Sequence, residues 1–379
     1  MAAGRGRTAS APAAAAGAPA APAVGRGRLG PPGGEALSVS RVCLGTMLFG
    51  EGTARPDAHR MLDAAFEAGV SFFDSAEMYP VPQRRATAGA SERILGAWLR
   101  GQARDAVQVA TKVAGPSGQM DWIRGGPERL DAANIRAAAE GSLARLGVDC
   151  IDLLQLHWPD RYVPMFGAVA YDPARRYEPV PLEEQLGALA DLRREGKIRH
   201  VGLSNETPYG LMRCCELART DSRYPKIVSL QNAYSLVCRG FDAGLAECCV
   251  EEGVSLLPYS PLAMGLLTGK YAAGGGPPTA RLNKYKGRYA EAESRYGPRP
   301  EVVAAVDAYA AVAREAGLSP LELALRFALN HPLAGSAVIG ASDLGQLRAI
   351  LALPLEAPLS ADVMARVEQV HREFPSPCP

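Results

Sequence analysis

An acidic residue, Asp74, closes the short run Val70-Ser71-Phe72-Phe73, and Tyr79 follows five positions later. A carboxylate at the end of an apolar strand is costly when buried without a partner. Taken alone, Asp74 reads as a turn or cap residue and Tyr79 as part of the surface. Two further groups change the weighing. Lys112 ends the run Val107–Thr111, and His157, one of five histidines, follows Ile151–Leu156. A phenol, with a usual pKa near 10, is a stable but weak proton donor at neutral pH. An adjacent lysine ammonium favours the phenolate and is expected to lower that pKa by about 1–3 units. Asp74 would keep Lys112 charged and oriented. His157, which also reads as a plausible core histidine, would donate a hydrogen bond to a carbonyl oxygen as negative charge develops there. Together the four would deliver a proton to oxygen in a water-poor pocket.

A proton donor reduces nothing by itself, and no side chain supplies a hydride; a nicotinamide cofactor does. Ser204, Asn205 and Gln231 offer donors and acceptors for a carboxamide. Tyr259 offers a flat ring for stacking.

The elements that must position these groups alternate along the chain. From Leu37, short apolar runs ("LSVSRVCLG", "VSFFD", "VQVATK", "IDLLQLHW", "IRHVGLSN", "IVSLQNAYS", "VSLLPYS", "SAVIG") are separated by segments of helical period. About seven strand–helix units follow from Val70, with an eighth strand at or near Val42. Strict alternation argues for a parallel sheet covered by helices. No composition break divides Leu37 from Pro358, so one domain is expected over 37–370, an α/β (β/α)8 barrel with long loops at its C-terminal mouth. No G-x-G-x-x-G follows the first strand, which weighs against a dinucleotide-binding open sheet. In a barrel, Asp74, Lys112, His157, Ser204, Asn205, Gln231, Tyr259 and Ser260 all fall at strand ends that converge on one mouth. The long connections Asp160–Val180 and Tyr271–Pro300 would shape the substrate pocket and close over the cofactor, respectively.

Composition narrows the function class. The 379 residues hold 41 basic and 40 acidic side chains, a net charge of +1, which argues against a nucleic-acid or anionic-membrane footprint. No segment is long and apolar enough to cross a bilayer, so the chain reads as soluble. The eight cysteines show no C-x-x-C or zinc spacing, and no metal is expected. Residues 1–34, without an acid and rich in Ala, Pro and Gly, read as a disordered tail or as a transit peptide. Cytoplasm and plastid both remain open, as does monomer or homo-oligomer.

The motifs "DSAEMY", "VATK", "LQLHWP", "GLSN", "SLQNAYS" and "PYSPLAMGLLTGKY" occur in the order in which the aldo-keto reductase superfamily has them. The resemblance runs from about Leu44 to Arg348. "LGTMLFGE", "AEMYPVP" and "TARLNKYKGRY" bring it close to the bacterial Tas-like and plant branch, with potassium-channel β subunits further off. It implies a TIM barrel that binds NADPH in extended form and reduces aldehydes or ketones, with Asp74, Tyr79, Lys112 and His157 as catalytic tetrad. It also implies that Gly45, Thr46 and Met47 line the nicotinamide end, and that Ser260, Pro261 and Leu262 cradle the pyrophosphate. Lys270, Arg281, Ser342 and Gln346 would reach the adenosine phosphate. Cations there suit a 2′-phosphate, so NADP is expected over NAD. Ile350 stands where an adenine-binding asparagine is usual.

Two other readings compete. A channel-β-like regulatory protein would bind NADPH yet act by docking to a protein partner. A barrel aldolase would use Lys112 as a Schiff-base former, which needs a depressed lysine pKa that Asp74 opposes.

Overall fold

The computed structural model describes residues 24–126, 128–271 and 275–379. Eight parallel strands form the central sheet: β3 (Val42–Gly45), β4 (Phe72–Asp74), β5 (Gln108–Val113), β6 (Ile151–Leu156), β7 (Ile198–Ser204), β8 (Ile227–Gln231), β9 (Ser255–Leu256) and β10 (Ala337–Ile339). They pair in chain order, except that β10 returns to lie beside β3. Parallel bridges Leu256↔Ala334 and Tyr259↔Val338 join β9 to β10 and close the ring. The fold is the expected (β/α)8 barrel.

Period-two alternation puts the chemistry at one end of the interior. Phe72, Ala110 and Leu153 lie in a buried inner cluster with Cys43, Val228, Leu257 and Val338. Two residues on, the same face of β4, β5 and β6 carries Asp74, Lys112 and Gln155, all buried. The outward alternates, such as Phe73, Val109 and Leu154, pack in the outer core with the helices. An apolar floor thus passes into an ionisable layer within one strand step.

The helices are α1 (Arg55–Glu67), α2 (Ala90–Leu99), α3 (Ala132–Leu146), α4 (Leu182–Arg194), α5 (Pro208–Thr220) and α6 (Leu245–Glu252), then α7 (Arg281–Lys284), α8 (Ala290–Tyr296), α9 (Pro300–Glu315), α10 (Pro320–Leu329), α11 (Leu344–Leu351) and α12 (Ala361–Glu373). Asp131 caps α3 by accepting from the Asn134 N–H, and Gly147 ends that helix in the left-handed region.

Three features differ from the sequence reading. The fold begins before Leu37: β1 (Arg26–Leu29) pairs antiparallel with β2 (Leu37–Ser40), and Leu29, Leu37 and Val39 plug the barrel floor. The Ala/Pro/Gly composition of 1–34 hid this short strand; residues 1–23 of that tail lie outside the described residues. Gly27 approaches so closely that a Cβ there would lie 2.1 Å from the Gly335 oxygen. Next, "LSVSRVCLG" is two strands, broken at Arg41, whose guanidinium bonds the backbone oxygens of Leu329 and Ala334. Finally, the long connection Tyr271–Pro300 is not without helix, since it carries α7 and α8. None of the described helices is long and apolar enough to cross a membrane.

Candidate active site

Asp74 and Lys112, on neighbouring strands, meet in the upper interior. Lys112 Nζ lies 2.5 Å from Asp74 Oδ2 and donates to the Ser75 oxygen at 2.8 Å. The other carboxylate oxygen, Oδ1, accepts from Gln155 Nε2 at 3.1 Å and Gln231 Nε2 at 2.9 Å. The buried acid is therefore satisfied by an ammonium and two amides, which makes such a charge tolerable. Lys112 reaches the Tyr79 hydroxyl at 3.4 Å, with its ammonium 4.9 Å from the ring centre. Lys112 is buried beneath Tyr79 and does not line the cavity above it. A carbonyl in that cavity meets Tyr79 before it meets Nζ, which disfavours a Schiff base.

Burial, and secondarily the Asp74 charge, push the Tyr79 pKa well above 10. The net lowering expected beside Lys112 is not what the structure gives, because burial outweighs an ammonium whose shorter contacts go to Asp74 and Ser75. Tyr79 is thus a fully protonated phenol at neutral pH. His157 is pushed the other way. Burial, then Lys112, hold its pKa well below 6.5, so the imidazole is neutral. Its ring stands edge-on to Tyr79 at 5.6 Å and tilted against Trp158 at 4.6 Å. Its Nδ1 is buried with no hydrogen-bond partner among the described residues.

These groups open into a cavity of 1310 Å³ at the barrel mouth. Asp74, Tyr79 and His157 line it. So do Gly45, Met47, Ser204, Asn205, Gln231, Tyr259, Ser260, Pro261, Leu262, Lys270, Arg281, Ser342 and Gln346, which the sequence reading assigned to the cofactor. Thr46 does not. Its Oγ1 turns inward to the Asp74 oxygen at 3.0 Å and the Ser91 hydroxyl at 2.7 Å.

The amide groups have specific capacities left. Asn205 Nδ2 donates to the His157 oxygen at 2.9 Å and Ser204 Oγ at 3.2 Å, while Oδ1 accepts from Tyr259. Gln231 Nε2 donates to Asp74 and, at 3.3 Å, to Gln155 Oε1. Ser204 Oγ donates to the Gln231 oxygen at 2.8 Å. All three residues therefore face a ligand with acceptor capacity only, suited to the NH₂ end of a carboxamide.

Further along the cavity the chemistry turns cationic. Lys270 and Arg281 make no ion pair among the described residues, and Arg281 Nε is buried without a partner. Burial lowers the Lys270 pKa. Two cations in one groove, neither in contact with an acid among the described residues, fit a phosphate. Ser342 and Gln346 bond each other and, through Gln346, Asp343. Ser260, Ala263 and Met264 adopt left-handed φ values, curling the backbone between the two regions. Ile350 also faces the cavity.

The lining also holds the apolar and aromatic side chains of Met120, Trp122, Trp158, Met165, Phe166 and Tyr177; three of these come from the Asp160–Val180 connection, which adds Arg161 and Arg175 as well. Several site residues were not singled out from sequence. Gln155 had a legible signal, an amide within the run Ile151–Leu156 two residues before His157. Tyr289, Glu291 and Arg295 had none, because they sit in a stretch without periodicity. Burial raises the pKa values of both Tyr289 and Glu291.

Comparison with known proteins agrees with this architecture. Residues 41–372 match the model of the Aldo/keto reductase family. The chain is 43% identical to Protein tas of Escherichia coli (strain K12) over 347 residues, 91% of this chain and 98% of the relative. It is 41% identical over 283 residues to an aldo-keto reductase of Babesia bovis, covering 72% of this chain and 98% of that one. An uncharacterized oxidoreductase of Bacillus subtilis, YrpG, is 28% identical over 351 residues, 91% and 95% of the respective chains. With this barrel, and a family match across nearly all of it, the chain belongs to the aldo/keto reductase family of oxidoreductases.

Proposed function

We propose that this protein reduces aldehydes and ketones to alcohols with NADPH, using Asp74, Tyr79, Lys112 and His157. The observation that carries the reading is a buried, fully protonated tyrosine set between a paired lysine and a neutral histidine at the mouth of the barrel. A reduced nicotinamide supplies the hydride when bound. Tyr79 gives its proton to the carbonyl oxygen as that oxygen becomes an alkoxide. A phenol of high pKa holds its proton until a stronger base forms, and the Lys112 ammonium stabilises the phenolate that remains. The neutral imidazole of His157 orients the carbonyl oxygen without taking part in charge transfer. Asp74, held by Gln155 and Gln231, fixes Lys112 beneath the phenol.

Ser204, Asn205 and Gln231 accept from the carboxamide NH₂, and Tyr259 stacks on the ring. Gly45 and Met47 flank that end, and Ser260, Pro261 and Leu262 line the pyrophosphate path. Lys270, Arg281, Ser342 and Gln346 hold the adenosine phosphate, and the two cations favour NADPH over NADH. The Trp, Met and Phe wall suits bulky apolar or aromatic carbonyls, with methionines adapting to shape. The test is loss of reduced-nicotinamide absorbance on a panel of aromatic aldehydes, aliphatic aldehydes and dicarbonyls, with Tyr79→Phe alongside. The variant is expected to lose turnover and retain NADPH binding. Full turnover by Tyr79→Phe would remove the proton donor from the scheme.

A further inference from the structure

Among the described residues two acids line the cavity, Asp74 and Glu291. The Asp74 oxygens are taken, one by Lys112 and the other by Gln155 and Gln231. Glu291, in the first turn of α8, is different. Its Oε2 accepts from the Tyr289 hydroxyl at 3.3 Å. Arg295 Nη1 stands 3.8 Å from Oε1, beyond hydrogen-bond reach, and already donates to the Tyr259 hydroxyl at 2.9 Å. No donor among the described residues therefore fills Oε1, in a carboxylate that faces the cavity.

The place of Glu291 in the cavity points to the substrate. Ser294 follows it by three residues on α8, so the two share a helix face. Ser294 Oγ donates to the Phe166 oxygen at 2.6 Å, which docks that face on the Asp160–Val180 connection. Phe166 packs edge-on to Trp158 at 6.4 Å, and Trp158 lies against His157. On the other side, beyond the larger effect of burial, the Glu291 charge contributes to raising the pKa values of Tyr79 and Tyr259. Glu291 thus stands between the aromatic lining and the phenol that would protonate the carbonyl. We infer that Glu291 is a specificity-determining residue whose free oxygen accepts a hydrogen bond from a substrate hydroxyl, so that the preferred carbonyl compounds carry a hydroxyl on an otherwise apolar or aromatic body. The inference rests on the reading that Tyr79 serves carbonyl reduction in this cavity. A substrate ammonium is disfavoured, because Arg161, Arg175, Lys270, Arg281 and Arg288 line the same space. An apolar substrate would leave the acceptor unmatched and desolvated, and that cost is the source of the selectivity.

The test is the kcat/KM of the full chain, with NADPH, for meta- and para-hydroxymethylbenzaldehyde against the ethyl compounds of the same shape. Wild type is expected to favour the hydroxymethyl aldehyde about tenfold at one ring position or both, the scale of one hydrogen bond to a charged group. Glu291→Leu removes the acceptor and is expected to bring that ratio to parity or below. Glu291→Gln keeps a carbonyl oxygen without the charge and is expected to retain roughly a third of the ratio. Should Glu291→Leu fail to fold, Glu291→Gln carries the comparison through the same ratio. NADPH titration of each variant runs alongside. A wild type with no preference at either position, or a preference unchanged in the variants, overturns the inference and leaves the reductase reading standing. A variant that weakens NADPH with the ratio unchanged would give the acceptor to a cofactor hydroxyl, and the inference would fall in the same way. A wild-type protein that turns over none of these aldehydes would remove the reductase reading itself, and the inference with it.

Discussion

Replacing Asp74 by asparagine tests whether the site is a coupled charge pair or merely a crowded interior. The wild-type carboxylate lies 2.5 Å from Lys112 Nζ, and the two side chains are 3% and 0% exposed. Asparagine keeps an oxygen for Gln155 and Gln231, so its NH₂ turns toward the lysine, donor against donor. Breaking a buried pair by removing one partner costs about 3–5 kcal/mol, mostly from the uncompensated charge left behind. An unfolding entropy of about 2.1 cal/mol/K per residue, over roughly 350 folded residues, converts this into a Tm fall of about 4–7 °C. The double variant Asp74→Asn/Lys112→Met removes the stranded charge as well and should recover at least half of that loss. Turnover should not return with it, since Tyr79 then has no ammonium to stabilise its phenolate. Thermal melts and urea titrations on the two singles and the double decide the matter. A double variant whose loss equals the sum of the singles would show that the two charges do not compensate each other, and the reasoning would fail.

Other outcomes follow from the same geometry. Arg281→Ala should weaken NADPH by about 10–100-fold, the loss of a charge-assisted contact to the 2′-phosphate, while NADH changes far less; titration with both cofactors reads the ratio. Thr46→Val should cost about 1–2 kcal/mol in urea unfolding, through its bonds to Asp74 O and Ser91, and leave the NADPH dissociation constant unchanged because Thr46 is outside the cavity. The depressed pKa of His157 gives a stability that is present above about pH 6.5 and is lost as pH falls from there through its lower folded value. A His157→Asn variant should therefore show a flatter acid limb in urea midpoint against pH; an unchanged limb would place the titration elsewhere.

Much of the barrel was legible because its physics is local. Alternating apolar runs and helical segments declare a parallel sheet, and Asp74, Lys112 and His157 stand out because ionisable residues at strand ends need partners. The misses share a cause. Residues 26–29 look like part of a tail because a four-residue strand carries too little pattern to show against Gly and Pro. Thr46 matched a motif but turns its side chain away from the cavity, since backbone direction after β3 is set by packing on Ser91. The Tyr79 pKa was read with the wrong sign because a neighbour in sequence order says nothing of how deeply a phenol is buried.

What the sequence determined by itself was the set of candidate site residues and the strand order that brings them together. Strand-end chemistry is a property of residue type and period. What only the tertiary structure decided was how those groups act on one another. Burial keeps Tyr79 protonated and His157 neutral. Gln155 and Gln231 hold the Asp74 carboxylate, the His157 oxygen fixes the Asn205 amide, and Arg295 arrives from a stretch with no pattern to bond the Tyr259 hydroxyl. Hydrogen-bond direction and desolvation depend on distances of a few ångströms between residues far apart in the chain. No one-dimensional spacing records them.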